Sequence, residues 1–349
     1  MELLQKTPST RVALLRRSKI KGNPDGKHLD SITVLRGVAS LMVFLFHLIC
    51  LSNNYVSNEA IRGIFQYGKY GVELFFVVSG FVITFSMCQA NYTLSNFFLF
   101  IKKRLIRLEP PYLVVLLLII VWMYIRTQSQ FAQGTKELPS ISQVLWHLGY
   151  LIPFSDYDWL SIVFWTLAIE FQFYLIFSLC FTIMKAHLWG RIAIAVVFSV
   201  ASMMIGESHF FHWWPVFFLG IILAFRKKDI MSNNELIVAY LLATVFIFLR
   251  FEMPIFIFAE LGFFFILFSP TVKNGVLLFL GNISYSLYLL HTLVGLTIIN
   301  LGIRYGQSLL YKVCFVTLAI VLTIFSSYLL YIWVEKPCKK LASSIKYRK

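Results

Sequence analysis

Apolar runs long enough to enter a lipid bilayer follow one another along almost the whole chain. We predict ten transmembrane helices from these runs, at approximately residues 32–52, 71–89, 110–126, 159–184, 191–206, 210–225, 236–250, 253–269, 276–301 and 309–334. A helix needs about 20 mostly apolar residues to cross the hydrocarbon core. The composition, 59% hydrophobic and 13% charged, is not that of a soluble domain. The predicted fold class is an all-α integral membrane protein, with about ten transmembrane helices in one bundle.

The charge distribution predicts the orientation of this bundle. The net charge is +15, but the basic residues lie at alternate ends of the apolar runs, so we predict a lipid bilayer as partner and no nucleic acid. Most of the 31 lysines and arginines fall on the cytosolic side if both termini are cytosolic, as the positive-inside rule requires. We therefore divide the chain into a basic cytosolic tail (1–28), a transmembrane domain (29–338) and a second basic cytosolic tail (339–349).

The first apolar run carries an arginine near its start and a histidine deep inside. Ionisable groups are costly in hydrocarbon and often mark a site. Arg36 and His47 are eleven residues apart, so they share one helix face and lie about 16 Å apart along it. A snorkelling anchor and a packing histidine are the structural alternatives. The shared face favours the two ends of one ligand site.

A basic cluster precedes the third run. Arg104 and Arg107 are three residues apart and would point the same way on a helix. Two adjacent guanidinium groups suit phosphate binding, whereas a purely topological role is the alternative. Pro110 and Pro111 are expected in the first turn of a new helix.

The fourth run contains a carboxylate that we predict to lie near mid-membrane. Counted from Trp159 at the outer surface, Glu170 lies about 16 Å deep. His47 is expected at a similar depth, so the two side chains could meet. A carboxylate beside an imidazole orients the ring and raises its basicity.

Other side chains in the apolar runs are weaker candidates. They are Glu73 and Ser79 in the second run, Trp165 and Tyr174 near Glu170, and Ser284, Tyr285, Tyr288 and His291 in the ninth. Close helix packing is the alternative explanation for Ser79. Glu207, His209 and His212 lie near one another, but interfacial packing is favoured over a metal site, so we predict no metal.

Six motifs in this order resemble those of the acyltransferase 3 family, over nearly the whole chain. They are Leu35-Arg36-Gly37 with His47, the stretch from Gly71 to Phe81, Arg104-x-x-Arg107, Trp165-Thr166-Leu167 with Glu170 and Tyr174, Ser284-Tyr285-Ser286-Leu287-Tyr288 with His291, and Glu335-Lys336-Pro337. The resemblance implies a multi-pass enzyme of the bacterial inner membrane. Such enzymes O-acylate extracytoplasmic carbohydrates.

The resemblance also implies roles for individual residues. Arg36 and His47 correspond to an essential pair, and Arg104 and Arg107 to a cytosolic arginine motif. The donor would be acyl-CoA, usually acetyl-CoA, with no bound cofactor. We expect its phosphates on the three arginines and its thioester near His47, which acts as general base or is itself acylated. Glu170 would orient or balance the charge of that ring.

The acceptor side is less defined by the sequence. A hydroxyl of Ser284, Tyr285 or Tyr288 is a candidate to stabilise the oxyanion, and His291 a candidate acceptor contact. The acceptor is expected to be a glycan or lipid-linked glycan, such as a lipopolysaccharide or exopolysaccharide. Some relatives carry an appended extracytoplasmic esterase-like domain. Because this sequence ends at Lys349 without one, we expect transfer to finish within the membrane domain.

A second class of protein fits the same residues. A proton-coupled transporter or flippase of a glycan precursor could use Arg36, Glu170 and His47 for proton coupling. Composition does not separate this reading from the enzyme. Dependence of the activity on acyl-CoA would distinguish the enzyme from the transporter.

Overall fold

The structure is a computed structural model that describes residues 24–52, 54–128, 137–268, 272 and 274–347. This part of the chain is helical, without β-strands. The helices are α1 (Pro24–Cys50), α2 (Glu59–Phe65), α3 (Gly71–Gln89), α4 (Phe97–Gln128), α5 (Ile141–Leu148), α6 (Phe164–Ala186), α7 (Leu188–Met204), α8 (Phe210–Lys227), α9 (Asn233–Arg250), α10 (Met253–Phe268), α11 (Gly275–Tyr305), α12 (Leu309–Leu330) and α13 (Lys336–Ser344). A π-helical turn, Tyr331–Glu335, joins α12 to α13.

Each of the ten predicted runs forms a helix, which confirms the all-α class. In the described residues, seven helical segments are long and apolar enough to cross a membrane. They contain α1, α3, α4, α6, α9, α11 and α12. Helices α7 and α10 are shorter, with 17 and 16 residues. The count of ten spans and the cytosolic position of the termini therefore stay predictions.

Two predicted helix starts are wrong, and both affect the site. Helix α4 begins at Phe97, so Pro110 and Pro111 lie inside it and the arginine motif is helical. Pro110 and Pro111 remove the backbone donors to the Ile106 and Arg107 carbonyls. The next carbonyl, that of Leu108, accepts the hydroxyl of Tyr285 (2.8 Å). Helix α6 begins at Phe164 rather than Trp159. Glu170 is therefore only about 9 Å from the start of its helix.

Helices α1 and α11 run parallel and touch through glycine. A Cβ atom on Gly37 would lie 2.6 Å from the Gly281 nitrogen, and one on Gly281 would overlap the Thr33 carbonyl oxygen. Only hydrogen at these positions allows so close a backbone approach. Ten residues farther along each helix stand His47 and His291, so this contact sets the register that brings the two histidines together.

Helix α8 forms the centre of the other half of the bundle. Its side chains from Phe210 to Phe225 are almost all buried, as expected for a helix that is hydrophobic all round. It packs antiparallel to α3, where a Cβ on Gly80 would overlap the Phe217 carbonyl oxygen and one on Gly220 the Val77 carbonyl oxygen. This contact fixes α3, which supplies one wall of the site.

The C-terminal segment packs against the bundle. The π-helical turn carries Glu335 into the interior, where its carboxylate accepts the Ser286 hydroxyl (2.6 Å) and pairs with Lys339 (2.6 Å). Helix α13 lies along α4, and the ring of Tyr347 contacts Lys103 at 4.8 Å. Part of the predicted tail 339–349 is thus folded against the domain. In the predicted tail 1–28, helix α1 already begins at Pro24, and residues 1–23 lie outside the described residues.

Candidate active site

Five helices, α1, α3, α4, α6 and α11, enclose a cavity of about 80 Å³. Nine of the predicted site residues line it. They are Arg36, Ser79, Arg104, Arg107, Glu170, Tyr174, Ser284, Tyr285 and Tyr288. These residues are spread over 253 positions of the sequence, so the fold gathers the motifs into one place.

The cavity is rich in unpaired positive charge. Among the described residues, Arg36, Arg104 and Arg107 have no carboxylate within 4.0 Å. Arg104 donates to the hydroxyl of Ser86 (3.1 Å), and its guanidinium lies 5.7 Å from the centre of the Tyr174 ring. Its Nε atom is buried without a partner in the described part of the chain. Three guanidinium groups and one carboxylate, that of Glu170, line the cavity, and the excess of positive charge forms a site for an anion with several oxygens.

The carboxylate of Glu170 is held by hydroxyl donors. Ser79 donates to Oε1 at 2.6 Å and Tyr174 donates to the same oxygen at 2.5 Å. The Ser79 bond joins α3 to α6 across the cavity, whereas the Tyr174 bond lies within α6. The predicted contact between Glu170 and His47 is not among the hydrogen bonds of the described residues, because the histidine is held by α11 instead.

His47 and His291 form a hydrogen-bonded pair. Nδ1 of His291 lies 2.8 Å from the Tyr288 carbonyl oxygen, and Nδ1 of His47 lies 2.8 Å from that of Val43. Carbonyl oxygens only accept, so both Nδ1 atoms carry the proton. Nε2 of His291, 3.2 Å from Nδ1 of His47, is then an acceptor. The same tautomers leave Nε2 of His47 with a lone pair, as a base requires.

Tyr288 lies between the histidine pair and the cavity. Its ring lines the cavity and lies 5.8 Å from the His291 ring, whereas neither histidine lines the cavity itself. The hydroxyl groups of Tyr288 and Thr166 are 2.6 Å apart. One turn farther along α11, Thr292 lies 3.2 Å from Ser161. These two contacts join α11 to the start of α6 and to the segment before it.

Among the serine and tyrosine hydroxyls proposed for the oxyanion, one has no hydrogen-bond partner in the described residues. Tyr285 donates to the Leu108 carbonyl and Tyr288 lies 3.2 Å from the Val163 carbonyl. The Ser284 hydroxyl is buried and has no partner among the described residues. It is therefore the hydroxyl of this group that can donate to a ligand without breaking an existing bond.

Two other predicted residues do not line the cavity. Glu73 is buried at the start of α3, and its Oε2 has no partner in the part of the chain that the structure describes. Trp165 packs against Trp213, with ring centres 5.8 Å apart. Neither residue contributes to the surface of the cavity.

Two features of the site were not predicted from the sequence: Ser86 and the segment before α6. Ser86 lies two helical turns after Ser79, on the same face of α3, so its spacing in the sequence could have indicated it.

His147 of α5 anchors the segment before α6. It donates Nδ1–H to the Gln143 carbonyl (2.8 Å) and accepts the Leu160 N–H on Nε2 (3.0 Å). Burial lowers the pKa of the His147 side chain, which keeps the ring neutral for this role. No local pattern in the sequence indicates that anchor.

Comparison with known proteins identifies the family. The family model described as an acyltransferase domain, that of the acyltransferase 3 family, matches residues 29–332. The chain therefore belongs to the acyltransferase 3 family. No solved structure matches it.

The curated relatives have low sequence identity to this chain, but their alignments cover most of it. The chain is 25% identical to the O-acetyltransferase OatA of Staphylococcus aureus over an alignment of 365 positions. The alignment covers 90% of this chain and 58% of that protein. It is 27% identical to the putative acetyltransferase ORF330 of Acidianus two-tailed virus, over 82% of this chain and 90% of that protein. It is 24% identical to the acyltransferase MdmB of Streptomyces mycarofaciens, over 81% of each. The chain thus spans somewhat more than half the length of OatA.

Proposed function

We propose that the protein is a membrane-bound O-acetyltransferase of the bacterial inner membrane. It would move an acetyl group from cytosolic acetyl-CoA to a hydroxyl of an extracytoplasmic glycan, such as a lipopolysaccharide or exopolysaccharide. One observation carries the proposal: three guanidinium groups that form no ion pair line a cavity, and the cavity-lining ring of Tyr288 contacts the paired histidine His291. The names of OatA and ORF330 favour acetyl over other acyl groups.

The donor would bind with its phosphates on Arg36, Arg104 and Arg107. A cavity of about 80 Å³ is several times the space of about 10–15 Å³ that one water molecule needs. It therefore suits the acetyl thioester end, with the nucleotide at the cytosolic mouth. Arg36 and His47 are about 16 Å apart along α1, a distance that the extended pantetheine arm can span.

His47 would act as the general base. Its Nε2 takes the proton of the acceptor hydroxyl, whose oxygen attacks the acetyl carbonyl. The carbon–sulfur bond then breaks, and the leaving sulfur receives that proton from Nε2 of His47, so that coenzyme A departs as the thiol and the base is regenerated. Because Tyr288 separates the cavity from the histidines, its side chain must move aside for the thioester to reach His47. Ser284 would donate to the oxyanion, since its hydroxyl has no partner among the described residues.

The test is release of the coenzyme A thiol by purified protein supplied with acetyl-CoA and a panel of glycans. Arg104→Gln should raise KM for acetyl-CoA at least about tenfold with kcat nearly unchanged, because a charge-assisted bond contributes about 1.5–3 kcal/mol. The matched control is Lys102→Gln, an exposed residue of the same helix that does not line the cavity. An unchanged KM would assign Arg104 a topological role. Glycan movement without thiol release would favour the transporter.

His291 is expected to be a positioning residue for His47. His291→Leu removes one of the two acceptors of the His47 Nδ1–H and leaves only the Val43 carbonyl, so the ring is held less firmly and kcat should fall by about 100-fold while KM for acetyl-CoA stays constant. His291→Gln returns an acceptor oxygen to that place and should recover most of the rate. Equal rates for the two variants, or a change confined to KM, would contradict this role.

A further inference from the structure

The C-terminal segment brings a buried ion pair to the edge of the candidate active site. The carboxylate of Glu335 is fully buried, and Nζ of Lys339 lies 2.6 Å from its Oε1. Lys339 lies beyond residues 29–332, which match the family model, and outside the six motifs that resemble the family. We infer that Lys339 is a positioning residue for donor binding, because it neutralises Glu335 and thereby keeps Arg36 free for the phosphates of coenzyme A. The inference rests on the proposed function and adds a residue to its donor site.

The local fold holds the Glu335 carboxylate in place. The π-helical turn Tyr331–Glu335 carries it into the bundle, and single π-helical turns are frequent at functional sites. Its Oε2 accepts both the hydroxyl (2.6 Å) and the backbone N–H (3.2 Å) of Ser286, which leaves Oε1 for a cation. Lys339 lies one helical turn later and provides that cation, and it also donates to the Asn282 carbonyl (3.3 Å).

Arg36 lies next to this ion pair, across the close contact between α1 and α11. It directly precedes the glycine of α1 in that contact, and Asn282 directly follows the glycine of α11. The charges of Glu335 and Lys339 both act on the Arg36 guanidinium, although no carboxylate of the described residues lies within 4.0 Å of it. Glu335 is therefore close to two cations, of which Lys339 is the one that holds it.

This choice of partner sets the positive charge that the cavity offers to a donor. A buried carboxylate that loses its partner is costly, so Glu335 without Lys339 would attract Arg36. One of the three guanidinium groups would then be neutralised and drawn away from the donor. Lys339 itself does not line the cavity. Its effect on the donor therefore acts through Glu335 and Arg36.

The test is the Kd of coenzyme A, measured by isothermal titration calorimetry on the purified protein in nanodiscs. Lys339→Gln should raise Kd about tenfold, the effect of losing one charge-assisted hydrogen bond. Lys339→Arg keeps the charge and should bind nearly as tightly as the wild type. The double variant Glu335→Gln/Lys339→Gln removes the carboxylate that competes for Arg36, so it should recover most of the affinity.

Lys340→Gln is the matched control, because Lys340 is an exposed neighbour on α13, and it should leave Kd unchanged. An unchanged Kd in Lys339→Gln would overturn the inference. A double variant that binds as weakly as Lys339→Gln would do the same, because Lys339 would then support only the fold or contact the donor itself. Binding of coenzyme A needs no acceptor. If Kd shifts as expected but no glycan releases thiol from acetyl-CoA, the proposed function fails and the role of Lys339 remains.

Discussion

His47→Ala should reduce acetyl transfer by about 1,000-fold, within the range that a positioned general base contributes. The physical reason is the tautomer that its neighbours impose. The Val43 carbonyl oxygen and Nε2 of His291 accept hydrogen bonds from the Nδ1–H of His47, which leaves Nε2 as the basic atom. No other described side chain offers a lone-pair nitrogen next to Tyr288, because Nε2 of His291 already accepts the His47 proton.

The measurement is kcat for thiol release by purified protein, together with its yield in the membrane and its melting temperature. His187→Ala is the control, since His187 is an exposed histidine at the end of α6. Wild-type turnover by His47→Ala would remove His47 from the mechanism. Mass spectrometry of the wild-type protein trapped with acetyl-CoA alone separates the two chemical routes. An acetyl group on the peptide that contains His47 would indicate an acyl-histidine intermediate instead of general base catalysis.

The sequence predicted the residues of the site better than their pairing. Helical spacing placed Arg36 and His47 on one face, and nine predicted residues do line one cavity. Spacing along one helix is local, so it survives folding unchanged. Which helices become neighbours is decided by packing between distant segments, and no single motif contains that information.

The mistaken partner for His47 shows this difference. Glu170 was assigned to His47 by depth, counted from a helix start at Trp159. The helix begins at Phe164, and the Glu170 carboxylate is satisfied by Ser79 and Tyr174. The partner found in the structure is His291, and one sequence feature does relate it to His47. A glycine precedes each histidine by ten residues, at Gly37 and Gly281, but its meaning depends on two helices being parallel and in contact.

That contact makes Gly281→Ala the second large effect that we expect. The added Cβ would overlap the carbonyl oxygen of Thr33, which is backbone and cannot rotate away. Overpacking of this kind typically costs about 1–3 kcal/mol, so the melting temperature should fall. A separation of about 1 Å between α1 and α11, sufficient to relieve the overlap, can also reduce the rate about 100-fold by displacing the reacting group.

Gly275→Ala on the same helix is the matched control, because a Cβ there would meet nothing within 4 Å. It should leave both the melting temperature and kcat unchanged. Loss of kcat in Gly281→Ala with KM for acetyl-CoA preserved would show that register at His47 and His291, rather than donor binding, depends on this contact. Wild-type stability and turnover in Gly281→Ala would contradict the close approach, and with it the argument that two glycines align the histidines.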